Sequence, residues 1–455
     1  MDAFTRNIAR YAASLQYAQL TPAAIHATKR LLVDSFACAV GAMECEPVRI
    51  ACEVAKAASS MPPATVWGSG EKSSIEAAAF ANGVMVRYLD FNDTYMSLEA
   101  SHPSDMFAAI LAVAEARRAS GEETLLALVV ACEVEMALAD SCNLFRKGFD
   151  HGLYIGLGTA AGVGRLVGLD VERMGNAISL ACTPNVPTRQ TRSGELTMWK
   201  GCAASASARS AIFAVQLAQQ GMTGPTEAFE GRHGIFQQVT NGAFELVPLS
   251  DGKTPFAVER SAIKYIPTEY NSQLPLYQAL QLRKKVAWED IEAIDVQTYN
   301  FTFTEIGSEP EKWRPTTRET ADHSLPYMLA VTLMDGGISV ESFSDERIRD
   351  PRLPGLMDRI RIAENAEFSR RYPEFMDCRI EVTSKAGGKF VEYASYPKGH
   401  HKNPMTDAEV EEKYWQLCGP RMDKQVADAL LEATWKLDES ADVGSLVELI
   451  RVKSR

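Results

Sequence analysis

CRIEVTSKAGGKFVEYASY, residues 378–396, alternates apolar and polar side chains on either side of a Gly-Gly pair. A period of two broken by a turn signal predicts two antiparallel strands. AIDVQTYNFTF (293–303) carries the same alternation and reads as further strand material. Between them, HSLPYMLAVTLMDG and DERIRDPRLPGLMDRIRIA (345–363) read as helices, so residues 261–400 are expected to form a smaller α+β domain.

Upstream the character is different. TPAAIHATKRLLVDSFACAVGA opens with Thr21 and Pro22, an N-cap and first-turn signal, and spaces Ile25, Leu31, Leu32 and Phe36 at helical intervals. SDMFAAILAVAEARRAS (104–120) follows the same style, with Ser104 as N-cap and Gly121 as stop, and three more such stretches run to residue 221. The many small residues predict a bundle with close helix contacts over residues 1–260. TDAEVEEKYWQLCG and QVADALLEATWKL return to amphipathic helix, so residues 401–455 are expected to rejoin that bundle. The fold class is therefore a large all-helical domain with a smaller α+β domain.

At 455 residues the chain exceeds the ~250–300 that one core usually holds, which also argues for two domains. The net charge is −12 with no long Lys/Arg run, which argues against nucleic acid and anionic membrane as partners. The N-terminus, MDAFTRNIARYAASLQ, has no secretory pattern, and the most apolar window (125–139) is short and broken by Glu133 and Glu135. A soluble, cytoplasmic chain is expected. Nine cysteines without a CxxC pair suit free thiols in a reducing compartment.

No short catalytic signature is present. GLGTAAGVG (156–164) lacks a preceding strand and the GxGxxG spacing, so a nucleotide site is not expected. No metal and no cofactor is expected, because the histidines stand apart except His400–His401 and no cysteines cluster. What stands out is YLDFNDTYMSLEASHPSD (88–105), with Asp90, Thr94 and His102 directly after a stretch that reads as buried helix. His151 in KGFDHGLY, Arg192 and Lys200 in TRQTRSGELTMWKG, and Lys264 and Glu269 in IKYIPTEYNSQ also lie at helix edges or the domain junction. His323, Ser324 and Tyr327 in ADHSLPYML complete the set. Each has a bland reading as a cap, a satisfied core group or a solvated charge. Together they suit a polycarboxylate substrate: cations pair with its carboxylates, while His, Asp and Tyr exchange protons. Glu99 and Asp105 read as loop solvation and helix N-terminal charge.

YLDFNDTY with HPSD, GELTMWKGCAA, ADHSLPYMLAVTLMDG and YPKGHHKNPMTDAEVEEKYW, in that order, resemble the MmgE/PrpD family, the iron–sulfur-independent 2-methylcitrate dehydratases and their relatives. The resemblance implies a homodimer with the active site between the two domains. It also implies proton-transfer chemistry beside carboxylates: dehydration, or alternatively cis-aconitate-type decarboxylation or dicarboxylate epimerisation. Asp90, Thr94, His102, His151, Lys200, Lys264 and Tyr327 match polar positions of the decarboxylase branch. Glu269, in EYNSQ, stands where that branch has histidine and resembles the dehydratases. The expected activity is removal of water from a 2-methylcitrate-like hydroxy-tricarboxylate. In that expectation His102, oriented by Asp90, moves the proton, and Lys200, Lys264 and Arg192 anchor carboxylates. His151 and Tyr327 then serve the leaving hydroxyl or the remaining carboxylate, and Thr94, Glu269, His323 and Ser324 contact substrate.

Overall fold

A computed structural model describes residues 1–452. The first half is helical: α1 (Ala3–Ser14), α2 (Pro22–Ala42), α3 (Glu46–Lys56), α4 (Ile75–Arg87), α5 (Phe107–Arg117), α6 (Gly121–Ser141), α7 (Gly152–Leu166), α8 (Val171–Cys182) and α9 (Ala203–Gln219). Thr21 caps α2, its side chain accepting from Ala24 N–H, with Pro22 in the first turn. The glycines of GLGTAAGVG lie inside α7 and let it sit against α6. A Cβ on Gly162 would fall 2.6 Å from the Ala127 carbonyl oxygen, and one on Gly158 2.7 Å from that of Ala131. Glu133, one of the two charges in the apolar 125–139 window of α6, accepts Ser250 and Ala257 N–H, both at 2.7 Å, and so ties down the chain that leaves the bundle.

SDMFAAILAVAEARRAS departs from expectation at both ends. Pro103–Met106 is a 3₁₀ turn, and Ser104 gives its hydroxyl hydrogen to the Asp93 carboxylate instead of capping α5. The helix ends at Arg117, with Arg118 left-handed at φ 55°. Gly121 opens α6 because the C-terminal chain crosses there: a Cβ would lie 1.5 Å from the Leu437 carbonyl oxygen.

The second half carries one four-stranded sheet: β1 (Ile291–Thr298), β2 (Ile360–Glu364), β3 (Cys378–Ser384) and β4 (Lys389–Ala394), in the order β2-β1-β3-β4. β3 and β4 form the hairpin read from CRIEVTSKAGGKFVEYASY. β2 corrects the expected helix over 345–363. Only Asp345–Ile348 and Leu353–Met357 are helical there, and the alternating IRI that follows pairs parallel with β1 from Ile294↔Ile360 to Thr298↔Glu364. Helices α10 (Gln273–Arg283) and α11 (Leu325–Asp335) share the core of this sheet. One apolar core runs from Phe4 to Ile263 and takes in Met405 to Ile450, and a second runs from Ile266 to Val382. Helix α12 (Asp407–Cys418) lies on α2 and donates Lys413 to the buried Asp34 carboxylate at 2.5 Å. No helix among the described residues is long and apolar enough to cross a membrane.

Candidate active site

Helix α4 stops at Arg87, and three residues later Asp90 takes a left-handed turn at φ 52°. Aspartate tolerates that conformation better than most residues. The turn aims both the carbonyl and the carboxylate of Asp90 into the junction between the two cores. Lys264 donates to both, at 2.8 Å each, and Arg87 donates to Oδ1. Lys200, behind the wall, reaches Oδ2 at 3.5 Å. Burial opposes ionisation of Asp90, but Arg87, Lys200 and Lys264 outweigh it and hold the carboxyl well below its ordinary range. Lys264 is drawn down by burial, partly offset by Asp90.

Three histidines face the same space. His102 bonds the Asp93 carbonyl through Nδ1 at 2.7 Å and meets Arg87 Nη2 through Nε2 at 3.2 Å. A guanidinium only donates and a carbonyl only accepts, so Nδ1 carries the proton and Nε2 is the acceptor. Arg87 and the Asp93 carbonyl thus orient His102, and the expected Asp90–His102 pairing is replaced by Arg87 bridging the two. Thr94 Oγ1 adds a contact at 3.4 Å to Nδ1. His151, at the start of α7, receives Arg192 Nη2 at 3.4 Å, while Arg192 Nε is bound to Asp150 at 2.7 Å. His323 Nδ1 lies 2.6 Å from Asp322 Oδ1. Burial pushes His151 and His323 down to about 3, helped by Arg192 and Lys200 respectively, and burial with Arg87 pushes His102 well down. Burial and the neighbouring cations thus favour the neutral form of all three.

These groups line a cavity of about 50 Å³ together with Arg87, Arg189, Met96, Tyr270, Phe301 and Glu305. At ~10–15 Å³ per water, that is room for roughly three to five waters. Arg189 donates to both oxygens of Glu305 at 2.7 Å, joining the loop after α8 to a π-helical turn at Phe303–Gly307. Arg189 and Glu305 both line the cavity, so this ion pair forms part of its wall.

Asp90, Thr94, His102, His151, Arg192, Lys264, Glu269 and His323 all line the cavity. Lys200, Ser324 and Tyr327 do not, and Lys200 is paired with Asp322 at 2.9 Å instead of being offered to a substrate carboxylate. Ser324 caps α11, accepting Tyr327 N–H and donating to the Lys312 carbonyl. Tyr327 is buried in the second core with its hydroxyl on the Ser342 carbonyl at 2.5 Å. Helical period explains both: a serine at the cap puts the residue three on beneath it, inside the core. Glu99 and Asp105 are corrected in the other direction. Both are buried, Glu99 lines the cavity, and burial raises them to about 7 and about 6. Glu269 also rises to about 7 through burial, against the pull of Lys264, with Asn271 holding both carboxyl oxygens.

Sequence reasoning missed Arg87, Asp150, Arg189, Glu305 and Asp322. Arg87 had a signal, as the one charge ending the apolar AAAFANGVMVRY, and Asp150 and Asp322 stand directly before the histidines singled out. Asp90, Asp322 and His323 also bring ligand-type atoms within 4.8 Å of one another. The ammonium of Lys200 serves that trio, 2.9 Å from Asp322 Oδ1, 3.5 Å from Asp90 Oδ2 and 3.2 Å from His323 Nδ1. The donor set therefore already has its cation.

The family model described as the MmgE/PrpD N-terminal domain matches residues 6–246, and that described as the MmgE/PrpD C-terminal domain matches 266–439. Cis-aconitate decarboxylase of Homo sapiens is 25% identical over 472 residues, 99% of this chain and 95% of that protein. 2-Methylcitrate dehydratase of Escherichia coli (strain K12) is 29% identical over 354 residues, 71% of each. The mitochondrial 2-methylcitrate dehydratase of Yarrowia lipolytica is 26% identical over 395 residues, 82% of this chain and 75% of that protein. With both domain models matched in order and the junction between them holding the buried acid–base cluster, the chain belongs to the MmgE/PrpD family.

Proposed function

We propose that the protein is a metal-independent hydro-lyase that removes water from a 2-methylcitrate-like hydroxy-tricarboxylate to give a cis-aconitate-type alkene. The observation that carries this reading is the convergence of Arg87, Arg189, Arg192 and Lys264 with His102, His151 and His323 on one cavity. The cations suit substrate carboxylates, which would take over partners now supplied by Asp150 and Glu305. Removing a proton beside a carboxylate builds negative charge on that group, and desolvated cations stabilise it most where water is excluded. Glu269, raised by burial to about 7, can give a proton to the leaving hydroxyl near neutral pH, which a histidine driven to the neutral form does less readily.

The near-complete span shared with a cis-aconitate decarboxylase favours decarboxylation as the second reading. Incubation with 2-methylcitrate, citrate and cis-aconitate separately, with products identified by NMR, distinguishes them. Dehydration of a hydroxy acid supports the proposal. Itaconate and carbon dioxide from cis-aconitate, with both hydroxy acids untouched, overturns it. The working unit is proposed to be a homodimer, and a monomer in sedimentation at assay concentration would contradict that.

A further inference from the structure

The cavity holds three histidines, and their hydrogen bonds separate them. Both ring nitrogens of His102 are engaged, Nδ1 with the Asp93 carbonyl and Nε2 with Arg87. His151 has its Nε2 under Arg192, and its Nδ1 stands 3.9 Å from Asp150, too far to be oriented by it. His323 differs from both. Its Nδ1 lies 2.6 Å from Asp322 Oδ1, a separation that requires a hydrogen between them, because a carboxylate can only accept. Its Nε2 faces Asp90 Oδ2 at 3.9 Å, beyond hydrogen-bond reach, and has no hydrogen-bond partner among the described residues. His323 lines the cavity, at the N-cap edge of α11.

A carboxylate fixing one imidazole nitrogen while the other stays free is the arrangement a general base needs: tautomer set, lone pair directed, developing imidazolium stabilised. Asp322 is itself held, by Lys200 at 2.9 Å and Arg318 at 3.5 Å. The groups that face His323 are thus Asp322 from the residue before it, Lys200 from the stretch ahead of α9, and Asp90 from the turn after α4.

We infer that His323 is the catalytic base of the site and Asp322 its positioning residue, with His102 a wall group locked by Arg87. This rests on the dehydratase reading. Nε2 takes the C–H proton beside a substrate carboxylate, and the C–H electron pair becomes the second bond of the alkene. The adjacent C–O bond breaks, and its oxygen leaves as water with the proton of Glu269. Imidazolium and carboxylate then exchange one proton through solvent to reset the site.

The test uses the full-length protein with 2-methylcitrate and citrate in D₂O, following both alkene formation and deuterium incorporation into recovered substrate. His323→Asn keeps an amide N–H in the place of Nδ1 for Asp322 while removing Nε2, so it preserves the dyad's packing. It is expected to lose about a hundredfold or more in kcat with KM within a few-fold, and to lose deuterium incorporation. His323→Ala is expected to regain part of both with added imidazole, which a structural role would not allow. Asp322→Asn is expected to lower kcat and move the acid limb of the pH profile downward, because the imidazolium loses its counter-charge. His102→Gln is expected to lower turnover, because its ring lines the cavity, but to leave measurable deuterium incorporation, which His323→Asn does not. If wild type dehydrates and His323→Asn retains the rate and the exchange, the base assignment is overturned while the dehydratase reading stands. If wild type dehydrates neither acid, that reading fails and the assignment falls with it.

Discussion

Asp90 carries the most at the scale of single residues. A left-handed aspartate at the end of a helix collects one guanidinium and two ammonium groups from three parts of the chain. Asparagine tolerates the same backbone, so Asp90→Asn removes charge without adding strain. It leaves Lys264 buried beside a neutral amide, while Lys200 keeps Asp322, and unpaired buried charge costs ~3–5 kcal/mol. A fall of that order in chemical-denaturation stability, with activity lost, is the expected outcome. Glu99 has the opposite sign. Its folded carboxyl titrates near 7 and an unfolded one near the ordinary value, so the unfolded chain sheds the proton first. Stability is therefore lost as pH rises through about 7. Glu99→Gln is expected to gain in melting temperature over wild type at pH 8 and to lose that gain at pH 5, since only the wild type pays for ionising. This pair also shows what sequence made legible. Polar residues in apolar surroundings marked Asp90, His102 and Lys264 as site candidates, and all three line the cavity. It did not mark Glu99, because a carboxylate in a loop-like strip looks solvated until the neighbouring chain closes over it.

Among elements, two close approaches fix where the chemistry sits. The YPKGHHKNP loop supports the strand-like segment that bears Lys264: Ile263 N–H donates to the Gly399 carbonyl at 3.1 Å, and a Cβ at Gly399 would lie 1.9 Å from the Ile263 carbonyl oxygen. Gly399, at φ +92°, is also a backbone conformation closed to side chains. Gly399→Ala is expected to destabilise by ~2 kcal/mol or more and to cut activity in the fraction that stays folded. Inside the bundle, Gly162→Ala forces α6 and α7 apart and is expected to cost ~1–3 kcal/mol with kcat nearly unchanged, because the overpacked contact is remote from the cavity. Both are measured by denaturant unfolding beside a steady-state assay. The helices and the β3–β4 hairpin were legible from period and turn chemistry. β2 was not, since five residues of alternation beside two prolines carry less signal than the parallel partner that finally pairs them.

For the whole molecule, the site is a junction. Asp90, His102 and His151 come from the part of the chain that builds the first core, and Glu269, Glu305 and His323 from the part that builds the second. No local pattern reveals such a meeting, so Arg189 and Glu305 stayed unread although both line the cavity as an ion pair. Glu305→Gln keeps the shape of the contact with Arg189 and removes its negative charge. It is expected to lower KM several-fold in a steady-state assay, because a substrate carboxylate no longer competes with a charged Glu305 for Arg189. The central claim is that this junction eliminates water from a hydroxy-tricarboxylate. It is tested most directly by giving purified protein 2-methylcitrate and following the ultraviolet absorbance of an unsaturated carboxylate, beside the Lys264→Met variant. Steady growth is expected with wild type, and a loss of about a hundredfold or more in the variant. No growth with wild type, or equal growth in both, would contradict it.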